Sequence, residues 1–263
     1  SMYSSATFYH PDLSLEDAST AKLERICQKL QLQPDDHIIE IGTGWGGFAT
    51  YAAKNYGCHI TTTTISKEQY QAAQQRVIDA GVADRVTILM EDYRDLQGRY
   101  DKLVSIEMIE AVGHHYLDTY LKQCAALLKP NGLALIQAIT IEDRYYHQAL
   151  KSVDFIKRYI FPGSFIPCVS AIVASAARST DLRLINLEDQ GESYALTLNH
   201  WRKSFLAALD QVRAQGYNEE FIRMWEFYLC YCEGGFKEKS ISNVQLLLAK
   251  PGNRRPQWLP DYE

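Results

Sequence analysis

A glycine-rich loop between an apolar strand and a helix is the feature that most constrains the fold of this chain. Gly42, Gly44 and Gly46 follow a predicted strand at 37–41 and precede a predicted helix at 48–56. Glycines let the backbone turn tightly and approach a ligand, and the helix start offers free N–H groups. This strand–loop–helix order predicts a cofactor site at the carboxyl edge of an α/β sheet.

Strand-like and helical segments alternate along the chain, which predicts a mostly parallel sheet covered on both faces. Strands are predicted at 37–41, 58–65, 86–90, 100–106, 133–140, 182–189 and 244–249. Helices are predicted at 15–30, 48–56, 67–80, 116–128, 199–215 and 219–231, and the tail 251–263 is predicted to be irregular. Residues 142–180 break the alternation as two helices around a turn at 161–163, and we expect this insertion to shape a substrate site.

The glycine loop also fits the dinucleotide pattern, so NAD has to be weighed against S-adenosylmethionine. A dinucleotide fold places an acidic residue about 20 positions further on, and residues 61–64 are all threonine. An acidic residue, Glu40, instead lies directly before the loop, a position that supports the methionine end of the cofactor in methyltransferases. These observations favour S-adenosylmethionine.

Polar side chains after the second and third strands are predicted to complete the cofactor site. Hydroxyl and amide groups could contact the ribose and the methionine. Asp92 could accept a hydrogen bond from the adenine amine, and Tyr93 could stack on the ring. A solvated acidic loop at 91–94 is an equal alternative. The predicted cofactor contacts after these strands are Thr64, Ser66, Gln69, Asp92 and Tyr93.

Composition excludes several classes of function. The chain has 27 basic and 32 acidic residues, and this balance does not indicate a basic surface for binding nucleic acid. None of its 6 cysteines lies in a CxxC pair, so we predict no metal site, and unpaired cysteines fit a reducing cytoplasm. No apolar run is long enough to cross a bilayer. Membrane contact is therefore expected to be peripheral, at the inner face, and a homodimer stays an open alternative.

Several spaced motifs resemble the cyclopropane-fatty-acyl-phospholipid synthases and the mycolic acid cyclopropane synthases. The resemblance extends from residue 2 to residue 250, and it is specific because the motifs occur in combination. It implies a single catalytic domain with a Rossmann-like class I methyltransferase fold and a seven-stranded, mostly parallel sheet. The family's N-terminal domain is expected to be absent or trimmed. Besides the glycine loop, the motifs lie at 3–6, 64–67, 107–113, 159–163, 194–198 and 228–236.

The resemblance also implies a reaction. Such enzymes transfer a methyl group from S-adenosylmethionine to a cis double bond in a phospholipid acyl chain. A carbocation forms, a bound bicarbonate removes a proton, and a cyclopropane ring closes. The implied bicarbonate site is Ser5, Glu110, Gln137, Ile139 and Tyr194, and Tyr3 and Ser4 match positions near the methionine part of the cofactor. Cys232 is a further catalytic candidate, with simple packing as an equal alternative.

Two of these positions depart from the family pattern. Ser5 replaces a common cysteine, and Gln137 replaces a common bicarbonate-binding histidine. Glutamine donates and accepts hydrogen bonds but cannot become a cation. Two outcomes therefore stay open: an amide holds bicarbonate, or the proton leaves by another route and gives a methylene or methyl-branched chain. A small-molecule N- or C-methyltransferase is a third interpretation. The many aromatic residues of the chain favour an apolar pocket, which speaks against this interpretation.

Two apolar helix faces are predicted to line the acyl chain in part. Such faces are more often core than channel. Lys157 and Arg158 could meet lipid phosphates, with a solvated helix face as the ordinary alternative. The first face comprises Val153, Phe155, Ile156, Tyr159 and Ile160, and the second Phe221, Met224, Trp225, Tyr228 and Cys232.

Overall fold

A computed structural model describes residues 2–256 and shows a seven-stranded sheet. The strand order is β3-β2-β1-β4-β5-β7-β6. The first five strands in this order run parallel, and β7 is antiparallel to both β5 and β6. This is the class I methyltransferase arrangement that the resemblance implied. The strands are β1 (His37–Ile41), β2 (His59–Thr63), β3 (Val86–Leu89), β4 (Tyr100–Ile106), β5 (Leu128–Ile141), β6 (Arg183–Asp189) and β7 (Ile241–Ala249).

Helices cover both faces of the sheet. Serine and asparagine caps begin several of them; Ser14, for example, accepts a 3.0 Å hydrogen bond from the backbone N–H of Asp17. The helices are α1 (Leu15–Leu30), α2 (Gly47–Tyr56), α3 (Lys67–Asp79), α4 (Leu117–Ala126), α5 (Asp143–Lys151), α6 (Val169–Ser179), α7 (Gly191–Ala207), α8 (Leu209–Ala214) and α9 (Glu219–Lys237).

The alternation of side chains along each strand divides the core in two. Ile39 and Leu103 face the layer that contains α4 and α6, whereas Ile38 and Val104 face α1, α2 and α3. A satellite cluster joins α7 to α9 around Tyr194. This cluster lies beyond the end of β5, so α7 and α9 form an apolar layer over the carboxyl edge of the parallel strands.

Several predicted boundaries are wrong for tertiary reasons. Strand β5 begins at Leu128, not 133, because Tyr100 pairs with Leu128 before the register shifts. Helix α7 begins at Gly191, not 199, because packing against α9 outweighs the weak helix propensity of its first turn. The insertion is three pieces, with a π-helical turn at Ile156–Ile160 between α5 and α6. The part of the predicted tail at 257–263 lies outside the described residues.

Candidate active site

Glu107 lies directly after β4, at the edge of the sheet where ligands of α/β proteins bind. Its backbone is left-handed, with φ of 50°, which costs a non-glycine residue about 1–2 kcal/mol. Its backbone N–H donates to the carbonyl of Gln137 at 2.8 Å. The surrounding structure therefore holds Glu107 in a strained conformation that aims its side chain away from the sheet hydrogen bonds.

The Glu107 carboxylate accepts four hydrogen bonds from within residues 2–256. Three donors reach Oε1: the Ser5 backbone N–H at 2.9 Å, Gln137 Nε2 at 2.8 Å and Asn243 Nδ2 at 2.9 Å. The Tyr194 hydroxyl donates to Oε2 at 2.9 Å. Because these donors come from the N-terminal segment, β5, β7 and α7, the carboxylate joins four separate parts of the fold.

Three residues predicted to hold bicarbonate therefore contact a carboxylate of the chain itself. Gln137 and Tyr194 use their side chains. The Ser5 hydroxyl does not take part, because it donates to the Ala6 carbonyl at 2.9 Å, and Ser5 contributes only its backbone N–H. Glu107 received no role from the sequence, where it appears only within the motif 107–113. The signal that could have found it is a charged residue directly after a buried strand, together with the departures at Ser5 and Gln137.

Glu110 lies one short helical turn after Glu107, and its carboxyl group is in a different environment. Its Oε1 accepts a hydrogen bond from the backbone N–H of Ile139, another residue of the implied bicarbonate site. Its Oε2 is buried and has no hydrogen-bond partner among residues 2–256. Burial, with a smaller contribution from Glu107, raises the pKa of Glu110 to about 8. At neutral pH Glu110 is therefore mainly a neutral acid.

Aromatic rings surround this pair of carboxyl groups. Tyr3 stacks on Trp201 with ring centroids 4.9 Å apart, and Tyr194 stacks on Phe236 at 4.4 Å. The hydroxyls of Tyr3 and Tyr228 are 2.9 Å apart. These five residues, which we call the aromatic wall, give the site an apolar surface with negative ring faces, suited to a cationic group.

Cys232 lies in the same cluster as the aromatic wall, partly buried on α9. Burial, followed by the nearby charge of Asp154, raises the pKa of the Cys232 thiol to about 12. A thiol in this state is neutral and unreactive as a base or nucleophile. The geometry favours the packing alternative for Cys232.

The glycine loop has the shape of a ligand cradle. Gly44 has φ of 51° and faces open space, so a ligand could approach its backbone. Gly46 has φ of 75°, and a β-carbon there would lie 3.1 Å from Ala73 of α3. Gly42, with φ of 98°, would contact Met108. The loop thus needs glycine at all three predicted positions, and it leaves room for a ligand at Gly44.

Glu40 and Lys22 are buried beneath the glycine loop. Glu40 accepts a 2.7 Å hydrogen bond from Thr62, and Lys22 donates to Ser4 at 2.6 Å. Burial raises the pKa of Glu40 to about 8 and lowers the pKa of Lys22 to about 8. Each group opposes the effect of burial on the pKa of the other. Two such groups suit a zwitterionic ligand such as the methionine part of a cofactor.

The remaining predicted cofactor residues already have partners within the protein. Thr64 donates to Gln69 at 2.8 Å, and the Ser66 hydroxyl caps α3 by accepting from the Gln69 N–H at 3.2 Å. Asp92 forms an ion pair with Arg94 at 2.7 Å, and Tyr93 packs edge-on against Tyr120. Their roles as cofactor contacts stay predictions.

The predicted acyl-lining faces divide into a buried part and an exposed part. Phe155, Ile156 and Ile160 pack into the cluster of the aromatic wall, together with Trp225 of the second face. Val153 and Tyr159 are 74% and 56% exposed, so their predicted place in the lining is wrong. Val153 lies before the π-helical turn, in a segment without regular structure, and Tyr159 is exposed because π-helical geometry does not keep the spacing of a regular helix.

The two basic residues of this turn also contact the protein itself. Lys157 donates to the carbonyl of Ser152 at 3.0 Å and to that of Ala149, near the end of α5. Arg158 lies over the Tyr159 ring at 5.4 Å.

A cavity of about 380 Å³ lies at the other edge of the sheet. Its lining includes Asp36, just before β1, and Asp101, near the start of β4. It contains none of the predicted site residues.

Comparisons with known proteins show which family the chain resembles. The family model described as mycolic acid cyclopropane synthetase matches residues 1–246. The tuberculostearic acid methyltransferase UfaA1 of Mycobacterium tuberculosis is 39% identical over 90% of this chain and 56% of its own length. The cyclopropane-fatty-acyl-phospholipid synthase of Escherichia coli K12 is 38% identical over 94% of this chain and 62% of its own length.

A solved structure of a family member has a similar fold. The mycolic acid cyclopropane synthase CmaA1, complexed with SAH and CTAB, superposes with a TM-score of 0.86 at 26% identity, covering 94% of this chain and 90% of that one. The chain spans 56% and 62% of the length of the two curated relatives. The family model and the shared fold both cover most of this chain, and the chain therefore belongs to the mycolic acid cyclopropane synthetase family.

Proposed function

We propose that this chain is an S-adenosylmethionine-dependent C-methyltransferase that acts on a cis double bond in the acyl chain of a phospholipid. The observation that carries the proposal is the Glu107 carboxylate, held by four donors next to the aromatic wall. Methylation of an olefin needs a surface that tolerates a carbocation and a fixed group that accepts a proton. This arrangement supplies both.

The residues of the glycine loop fit S-adenosylmethionine. Backbone at Gly44 is open to a ligand, and Glu40 and Lys22 offer an acidic and a basic group below it. The related structure contains SAH, the demethylated form of this cofactor. When bound, S-adenosylmethionine supplies an electrophilic methyl group, and joining this group to the olefin leaves the neighbouring acyl carbon cationic.

The aromatic wall and the two carboxyl groups would then control the cation. A ring face near a desolvated cation contributes about 0.5–2 kcal/mol. Oε1 of Glu107 already accepts from three groups in the described part of the chain, whereas Oε2 accepts from Tyr194. Oε2 has fewer donors than Oε1 and therefore keeps acceptor capacity for a proton. We propose that Glu107 Oε2 is the proton acceptor and that the reaction does not require bicarbonate.

The fate of the carbocation decides the product. A proton lost from the new methyl group, with a bond closed to the cationic carbon, gives a cyclopropane ring. If a hydride first shifts from the methylated carbon to the cationic carbon, loss of a proton from the methyl group forms a double bond and gives a methylene group. The similarity to a tuberculostearic acid methyltransferase is the observation that favours the second, branched class of product. Both products gain one methylene unit.

The approach of the lipid is proposed to use the surface around the π-helical turn. Phe161 and Phe227 are 42% and 52% exposed, and Tyr159 and Tyr231 lie exposed beside them. Phe161 packs against Tyr228 of the aromatic wall, which links this surface to the site. No helix within residues 2–256 combines the length and the apolar character needed to cross a bilayer. We therefore propose peripheral contact with the cytoplasmic face of a membrane, by these rings and the nearby Arg158, and propose residues 142–180 as the substrate-site insertion.

Mass spectrometry tests the proposed function. The protein is incubated with vesicles of monounsaturated phosphatidylglycerol and cofactor carrying a deuterated methyl group. The expected product gains one methylene unit in its acyl chain, with one deuteron of the methyl group lost. Ozonolysis then separates the products, since it cleaves the methylene product but not the ring. Cofactor binding without label in any acyl chain would contradict the proposal.

A further inference from the structure

We propose that Lys29 of α1 is a positioning residue for Glu107, acting through the side chains of Gln245 and Gln137. Lys29 donates to Gln245 Oε1 at 2.9 Å, and Gln245 Nε2 donates to Gln137 Oε1 at 3.0 Å. Gln137 Nε2 then donates to Glu107 Oε1 at 2.8 Å. Lys29, Gln245 and Gln137 form what we call the buried amide chain. The proposal rests on the proposed role of Glu107 as proton acceptor.

The fold places these groups in a row. Gln137 and Gln245 are paired residues on the adjacent strands β5 and β7, so their side chains lie side by side on one face of the sheet. That face is the one covered by α1, which contributes Lys29. Gln137 and Gln245 are 0% exposed and Lys29 is 1% exposed, so water does not compete for these hydrogen bonds.

The direction of the chain follows from the donor-only chemistry of lysine. An ammonium group has no lone pair, so it must meet the oxygen of the Gln245 amide. The nitrogen of that amide then faces Gln137 and orients its oxygen, which leaves the Gln137 nitrogen for Glu107. Without Lys29 either amide could rotate, and a carbonyl oxygen would then face the carboxylate. Lys29 thus determines that Glu107 Oε1 meets a donor.

An ion pair holds Lys29 at the end of the buried amide chain that lies away from Glu107. Its ammonium contacts the carboxylate of Glu188, which also accepts a 2.8 Å hydrogen bond from Arg25. Burial lowers the pKa of Lys29, and the contact with Glu188 opposes this effect. Occupation of Oε1 by three described donors leaves Oε2 as the oxygen with a free lone pair, so the buried amide chain also selects which oxygen of Glu107 is basic.

Two substitutions separate positioning from folding. Lys29→Met removes the charge at similar volume. Gln245→Glu keeps an acceptor for Lys29, and adds an ion pair, but an ionised carboxylate cannot donate to Gln137. Lys250→Met is the matched control, because Lys250 is a buried lysine directly after β7 that pairs with Asp181 at 2.6 Å, away from Glu107. Circular dichroism and thermal melting identify the folded variants.

Turnover and infrared spectra give two independent readouts. Loss of a charge-assisted hydrogen bond to Glu107 is expected to lower kcat about 10- to 100-fold in both variants, with KM for the cofactor within about twofold of wild type. The control keeps kcat within about twofold. The carboxylate stretch of Glu107, identified by its loss in Glu107→Gln, is expected to shift in both variants without any substrate present.

The outcomes are distinguishable. An unchanged kcat in folded Gln245→Glu, or an unshifted Glu107 band in both variants, would overturn the positioning role. A shifted band in a protein that methylates no lipid, even as wild type, would support the positioning of Glu107 and contradict the proposed function. Equal losses of kcat in Lys250→Met and Lys29→Met would also overturn the positioning role of Lys29. The loss would then be a general effect of removing a buried lysine.

Discussion

The hydroxyl of Tyr194 donates to Oε2 of Glu107 at 2.9 Å, the carboxylate oxygen that the other donors of the described chain do not contact. Burial, followed by the charge of Glu107, raises the pKa of Tyr194 well above its usual value, so the phenol stays a donor. The two residues therefore form a neutral phenol and carboxylate pair at the apolar end of the site.

Replacement of this phenol tests its part in the site. Tyr194→Phe keeps the stacking on Phe236 and removes one donor from Oε2. We expect kcat to fall about tenfold, because a hydrogen bond to a charged group contributes roughly 1.5–3 kcal/mol. Steady-state kinetics measure the change, with isothermal titration calorimetry as the check that cofactor binding is kept. Equal kcat values for the variant and the wild type would show that the phenol does not act on Glu107.

The raised pKa of Glu110 predicts a dependence of stability on pH. An acid whose pKa is higher in the folded state holds its proton more tightly there, so the free energy of unfolding falls as pH rises from about 4.5 to about 8. Glu110→Gln removes this contribution to the pH dependence. The fall in the free energy of unfolding is therefore expected to be smaller in the variant by on the order of 2 kcal/mol. Urea denaturation at about pH 5 and at about pH 8 measures this pH dependence for both proteins.

Glu40 contributes in the same direction and remains in the variant, so a residual pH dependence is expected. Identical pH dependence in Glu110→Gln and wild type would contradict the burial argument for Glu110.

The neutral state of Cys232 predicts slow alkylation. Iodoacetamide reacts with the thiolate, and burial raises the pKa of the Cys232 thiol to about 12. The exposed Cys230, two positions away on α9, serves as the internal reference. Peptide mass spectrometry at mildly alkaline pH should show Cys230 modified at least about tenfold faster. Comparable rates would mean that the Cys232 thiol is accessible and ionised.

The buried half of the π-helical turn predicts where the acyl chain passes. Ile156 packs into the cluster of the aromatic wall, whereas Val153, three positions earlier, is 74% exposed. Ile156→Trp should therefore lower turnover about tenfold or more by overpacking the site. Val153→Trp is the matched control and should stay within about twofold of wild type. Full activity in a folded Ile156→Trp protein would remove this turn from the acyl path.

Local sequence patterns were sufficient for much of the sheet. The bounds of α1, β1 and β4 were predicted correctly, because a serine cap or a run of buried apolar residues marks each one within the segment itself. The start of α7 was not predicted correctly, because it depends on packing against α9, which lies about 30 positions away in sequence.

The candidate site divides in the same way. Glu110, Gln137, Ile139 and Tyr194 could be named from the family resemblance. The convergence of Gln137 and Tyr194 on Glu107 could not be predicted, because it depends on the N-terminal segment, β5, β7 and α7 meeting at one carboxylate. The buried amide chain escaped prediction for a related reason: Lys29 and Gln245 are 216 positions apart.

Bicarbonate rescue of Glu107→Gly tests the central claim most directly. Glycine suits the φ of 50° at this position, so the variant relieves backbone strain while it leaves the donors of Ser5, Gln137 and Tyr194 without their carboxylate. Wild-type turnover is measured in buffer freed of carbon dioxide and in buffer with added bicarbonate, and so is turnover of the variant. The account predicts a wild type that is indifferent to bicarbonate and a variant that is at least about 100-fold slower and regains activity when bicarbonate is added. Loss of wild-type activity on removal of carbon dioxide, or full activity of the variant without bicarbonate, would contradict it.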